Sequence, residues 1–312
     1  MATPQASLGF VGYVVFITND SNIHVRATTC DLSLKQSIEK PPLVDSKYDK
    51  TVYQLGPRLV DGSIAFPAVH EDGVASIESL WRLAIERPGT RLQQFDVEVK
   101  YANLPSETVF LYTNTLVNTW EFNVTQGDVV NINVGLMGID RETTNGRQIT
   151  YSQRNSRIVT WNDVKVALIS PEFEVNPGVI GSSIRSFTAT INNNADRAYT
   201  LNGKLAPQDV FGTKRDIDGT ITLMGRNTEL GSLARSNEDR CNEESKIQFG
   251  YSLVGGNCVG NWYVELPGVV FEIEEIAITN ELLETTVNWH ALPGANYVPG
   301  VDENFEIDNI TY

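Results

Sequence analysis

Arg58 to Ile64, Arg-Leu-Val-Asp-Gly-Ser-Ile, returns as Arg215 to Ile221, Arg-Asp-Ile-Asp-Gly-Thr-Ile, with the glycines 157 residues apart in a chain of 312. The flanks keep this spacing, since Leu34 falls opposite Ile191 and each copy crosses a polar stretch before its Asp-Gly. Downstream, each half closes with a pair of apolar-alternating segments, Thr119 to Leu136 and Val269 to Trp289, at an offset that drifts by a few residues. A repeat of this length is too large for a solenoid unit and matches the commonest domain size. The expectation is two tandem, similar β domains, 1–158 and 159–290, followed by an acidic C-terminal arm, 291–312.

Period-two patterning dominates both halves. Trp120, Phe122 and Val124 alternate with Glu121 and Asn123, and Val130, Ile132 and Val134 alternate with Asn131 and Asn133. Thr125-Gln126-Gly127-Asp128 between them predicts a hairpin. Such strands have one wet face, the antiparallel pattern of a β-sandwich or barrel. Ile77, Leu80, Trp81, Ala84 and Ile85 instead follow helical spacing, behind Ser76 and ahead of Pro88-Gly89, and predict one short helix. Its counterpart around Glu229 to Ser236 has fewer apolar positions and is expected to be shorter. The Asp-Gly pairs, Asp61-Gly62 and Asp218-Gly219, are read as turns between strands.

Two long polar stretches, Gln36 to Leu55 and Asn192 to Gly212, precede the two Asp-Gly blocks. Loops of this length inside compact domains are usually functional or disordered. They are expected to carry contacts between subunits or rings through Lys40, Pro41, Pro42, Asp45, Lys47 and Lys50 in the first and Asn193, Asn194 and Arg197 in the second. Extended hairpins projecting from the sheet are the alternative.

With 24 basic against 39 acidic residues and a net charge of −15, phosphate neutralisation cannot drive nucleic-acid binding. No run approaches the roughly 18 apolar residues of a membrane span, and the N-terminus lacks the regions of a signal peptide, so a soluble chain made in the cytoplasm is expected. Cys30, Cys241 and Cys258 are odd in number and lack metal-ligand spacing, which argues against a disulfide framework. His24, His70 and His290 stand apart in sequence, and no nucleophile elbow or phosphate loop is present. Asp216-Ile217-Asp218-Gly219 fails as a calcium loop because Lys214 and Gly225 occupy ligand positions. Glu272, Glu274, Glu275, Glu281 and Glu284 could supply paired carboxylates, but a solvated strand face explains them better than glycosidase chemistry. No enzyme activity, metal or cofactor is expected.

A strand-rich domain in tandem duplicate, with one short helix, a long loop and an acidic balance, resembles a tail tube protein of long-tailed bacteriophages. The run Tyr53-Gln54-Leu55-Gly56-Pro57-Arg58-Leu59-Val60-Asp61-Gly62-Ser63-Ile64-Ala65-Phe66-Pro67, followed by the helix, carries the resemblance. It implies a structural virion protein, assembled in the host cytoplasm into the tail. In that family rings of six surround a channel, so a doubled domain implies trimeric rings with pseudo-sixfold symmetry that stack into a tube. The implied partners are further copies of this chain, the terminator, tape measure and distal tail proteins, and double-stranded DNA passing without specific binding; no membrane is involved. Acidic side chains would line the channel, with Glu272 and Glu274 as candidates. A distal tail or baseplate ring protein of the same fold, a capsid or decoration protein, and a carbohydrate-binding β-sandwich are the alternatives.

Overall fold

The computed structural model describes residues 11–19, 21–39, 54–71, 76–85, 91–101, 108–145, 156–169, 184–201, 203–224, 246–253, 260–266, 268–272 and 284–291. The first half opens with β1 (Val11–Ile17), β2 (Asn22–Val25), β3 (Thr29–Cys30), β4 (Ser33–Glu39), β5 (Gln54–Pro67) and β6 (Val69–Glu71). Helix α1 (Ser76–Ile85) follows, then β7 (Phe95–Tyr101), β8 (Thr108–Thr125), β9 (Asn131–Gly138), β10 (Asp140–Asn145) and β11 (Ser156–Ile158). A 3-10 turn, Trp161–Asp163, leads into β12 (Val164–Ile169), β13 (Ile184–Asn192), β14 (Ala195–Ala198), β15 (Asp209–Gly212) and β16 (Asp216–Met224). The second half ends with β17 (Lys246–Leu253), β18 (Gly260–Leu266), β19 (Val269–Phe271) and β20 (Glu284–Ala291). The fold is mainly β, as the alternation predicts.

Eight of these strands form one antiparallel wall in the order β4-β5-β9-β8-β13-β16-β20-β19. Period-two alternation divides its side chains cleanly. Trp120, Phe122, Ile132, Val134, Phe187, Ile191, Ile221, Val287 and Trp289 point to one face and are buried, while Asn, Thr and acidic residues occupy the other. The buried face is covered by α1 and by a second sheet, β12-β17-β18. Trp81 of α1 meets Trp120 edge-on at 4.8 Å, and Phe249 of β17 lies 5.4 Å from Phe122 and 5.1 Å from Phe187. Aromatic pairs at such distances add about 0.5–1.5 kcal/mol beyond the area they bury.

β8 belongs to two layers. Its N-terminal part pairs with β7 and β10, its C-terminal part with β9 and β13, and the change falls at Asn114, which takes φ 47°. The Asn114 N–H donates to the Asp96 carboxylate and the Thr115 hydroxyl to the Phe95 carbonyl, holding the bend. Through β7, β1 and β2 the sheet folds over the first half of the wall, and one apolar cluster runs from Val14 to Trp289 across both halves.

The 157-residue spacing reappears in the pairing. Leu34 sits opposite Val60 in the β4–β5 pair, and Ile191 opposite Ile217 in the β13–β16 pair. Gly62 faces Leu136 on β9, as Gly219 faces Trp289 on β20. The positive φ of Asn114, between the two parts of β8, has its counterpart in Gly268 at φ 68°, between β18 and β19.

The Asp-Gly pairs are not turns. Both lie inside long strands, β5 and β16. Their glycines serve close approach: a Cβ at Gly62 would stand 2.5 Å from Leu32 Cα, and one at Gly219 would stand 2.0 Å from the Thr188 carbonyl oxygen and 2.5 Å from the Trp289 ring. The hairpin predicted at Thr125 to Asp128 is present, with Gly127 at φ 92° and the Asp128 N–H bonded to the Thr125 carbonyl. Helix α1 buries Ile77, Leu80, Trp81, Ala84 and Ile85, while Glu78 and Arg82 pair at 2.7 Å on its outer side. The segment expected to match it, 229–236, lies outside the described residues.

Candidate functional site

The polar face of the wall is the surface that the alternation sets apart. Its strands contribute Asp61, Glu121, Asp216, Asp218, Glu272 and Glu284 against Lys35 and Arg185, the latter paired with Glu284, with Thr188, Thr220, Asn123 and Asn288 between them. Short hydroxyl and amide side chains pair across strands here: the Thr188 and Thr220 hydroxyls lie 2.8 Å apart and those of Thr222 and Thr286 3.2 Å apart. The surface is therefore polar and negative on balance.

Each carboxylate has its own environment. Asp61 is met by the guanidinium of Arg197, which also donates to the Val60 carbonyl at 2.8 Å. Asp216 accepts from Lys214 at 2.6 Å and from the Asn194 amide at 2.9 Å, and these bonds, the lysine first, hold its pKa below the usual carboxylate value. Asp218 goes the other way: partial burial raises its pKa and the Asp216 charge adds to this, against the pull of His290. Glu272 accepts from Asn288 at 2.8 Å and bonds His290 Nε2 at 2.9 Å, which lower its pKa. Among the described residues no group of His, Cys, Asp and Glu could hold a metal ion. No helix among them is long and apolar enough to cross a membrane.

The predicted site residues divide three ways. Glu272 is exposed at the end of β19, on the polar face, whereas Glu274 lies outside the described residues, as do Lys40, Pro41, Pro42, Asp45, Lys47 and Lys50. Asn193, Asn194 and Arg197 are described, and their side chains bond within the chain. The stretch that holds them forms the hairpin alternative, with β14 paired to β15, and it folds against β5, where the Arg58 N–H bonds the Leu205 carbonyl. Asn193 is fully buried, with its amide donating to the Ala84 and Val117 carbonyls at 2.9 and 3.0 Å. Arg215 donates to Asn193 Oδ1 at 3.1 Å and to the Ile85 carbonyl. The two residues thus satisfy carbonyls at the C-terminal end of α1 and place a cation there, where the helix dipole favours one. In sequence, an Asn-rich segment looks the same whether it faces water or caps a distant helix.

The polar wall is backed by a packed layer, and among the described residues each of its terminal strands has one hydrogen-bonded neighbour. A comparison with curated proteins finds no match. The model of the phage tail tube protein family matches residues 18–259, from the end of β1 to the start of β18, and the chain belongs to that family.

Proposed function

We propose that this tail tube protein forms trimeric rings with pseudo-sixfold symmetry, each chain supplying two fused tube domains, and that the rings stack into a tube with the polar face of the wall lining the channel. The observation that carries this reading is the acidic face of the eight-stranded wall, whose other face packs into the core. A channel that passes DNA works best when it repels phosphate and offers no cationic holding points. Glu121, Asp218 and Glu272 supply the repulsion, and the Asn and Thr side chains keep the surface wet. Copies of the same chain, terminator, tape measure and distal tail proteins are the partners in this reading.

Glu121→Lys combined with Thr286→Lys places cations on the polar face of each half without touching the core. Virions carrying both changes are expected to assemble and to eject DNA slowly at low salt, with the defect relieved as salt screens the phosphate contacts. Ejection at the wild-type rate in low salt would put this face on the outside of the tube.

A further inference from the structure

The wall ends in two strands, β4 and β19, each with a single hydrogen-bonded neighbour among the described residues, β5 and β20 respectively. An open edge of this kind is a template for another strand. The chain itself contains a worked instance of how such edges meet, the pairing of β8 with β13 where the two halves join. β13 stands to β16 as β4 stands to β5, since Ile191↔Ile217 and Leu34↔Val60 keep one register. On the other side, Thr119 lies opposite Gly135 of β9, and the Glu272 N–H bonds the Asn288 carbonyl of β20, the corresponding place in the second half. The two strands joined at the internal junction are thus the counterparts of the two left open.

We propose that β19 of one copy pairs antiparallel with β4 of the next copy in the register of the β8–β13 junction; this specifies the subunit contact of the ring reading and rests on it. At the junction Thr119 faces Asn192. Carried to the open edges, the same register sets Glu272 against Lys35. Both side chains are exposed on the polar face, so a carboxylate meets an ammonium group where the chain's own halves place two neutral side chains. The junction is also clasped from behind by Asn193 and Arg215, and their counterparts at the 157-residue spacing, Gln36 and Arg58, stand at the open edge, with Arg58 half exposed. The contact uses different surfaces on the two partners, the head-to-tail kind that closes into a ring.

Register can be read by cross-linking. The Asn193 N–H bonds the Asn118 carbonyl, so the adjacent Thr119–Asn192 pair is a non-hydrogen-bonded pair, and its counterpart has Cα atoms about 4.5 Å apart, within disulfide reach. Assembled Lys35→Cys/Glu272→Cys protein, oxidised and run without reductant, is expected to convert from monomer to covalent oligomers. Each single variant, carrying the same native cysteines, should stay monomeric. Ser33→Cys/Glu272→Cys, two residues out of register, should link at least tenfold less. Rings that form but leave the matched pair unlinked, or link the shifted pair equally, overturn the junction while sparing the ring reading. Unmodified protein that sediments only as monomer under every assembly condition overturns both. As a second measurement, Lys35→Glu and Glu272→Lys should each impair assembly and the double swap should restore it; a swap no better than the singles overturns the pairing.

Discussion

The two halves of the wall share a strand register but use it differently. In the first half, Asp61 on β5 is neutralised by Arg197, which reaches over from the β14–β15 hairpin of the second half. Its counterpart Asp218 on β16 is partly buried beside Asp216 and looks to His290. Gln36 on β4 donates to the nearby Gly56 carbonyl in an exposed setting, whereas Asn193, 157 residues on, is buried and holds the end of α1. The difference follows from position. The second half's first strand is an interior strand, covered by β8, and its polar groups must all be satisfied; the first half's is an edge, and water can serve it.

The largest expected effect tests whether the halves are one cooperative body. Trp120→Ala and Trp289→Ala each empty a fully buried site on the wall's apolar face. Each is expected to lower stability by about 3–5 kcal/mol in chemical denaturation, as for other buried tryptophans. Because one apolar cluster spans both halves, each variant should still unfold in a single transition. Two transitions, only one of them shifted, would make the halves independent and break the comparison at its base.

A smaller effect separates interior strand from edge. Asn193→Ala removes the amide that serves the Ala84 and Val117 carbonyls and accepts from Arg215 inside the protein, with an expected loss of about 1–3 kcal/mol. Gln36→Ala removes an exposed amide and should stay within about 0.5 kcal/mol for the monomer. Equal losses in the two variants would mean that β4 is as enclosed as β13.

The smallest effect concerns sign. Folding raises the Asp218 pKa, so its ionised form opposes folding at neutral pH, and the penalty fades as pH falls through the raised folded value and is gone below the unfolded value near pH 4. Asp218→Asn should therefore add a small stability at pH 7, under about 1 kcal/mol for a group so open to solvent, and the gain should vanish by about pH 3. Asp61→Asn should instead cost about 1 kcal/mol at pH 7 by depriving Arg197 of its carboxylate. Thermal melts across pH 3 to 7 check both, and a loss in the Asp218 variant at neutral pH would erase the distinction.

The regular part of the fold was legible because it repeats along the chain. Alternation at Trp120 to Val124 and Val130 to Val134 gave the strands and the hairpin between them, and the helical spacing of Ile77 to Ile85 gave α1. The candidate surface was legible in kind, since an alternating strand must have a wet face, and Glu272 is exposed on it. The Asp-Gly pairs misled because turn chemistry is a local preference. At Gly62 and Gly219 the decisive neighbours are the Leu32 backbone and the Thr188 carbonyl with Trp289, each 30 or more residues away in sequence.

The sequence by itself determined which faces are apolar and where the chain turns sharply between β8 and β9. These depend on side-chain period and composition, which are properties of adjacent residues. Only the tertiary structure decided that β8 joins two layers, that the second half's hairpin folds back onto β5, and that Asn193 and Arg215 close the end of a helix in the other half. Strand partners and helix caps are chosen by hydrogen-bond donors and acceptors that meet across long loops, and local pattern carries no record of which distant carbonyl will be left needing a donor.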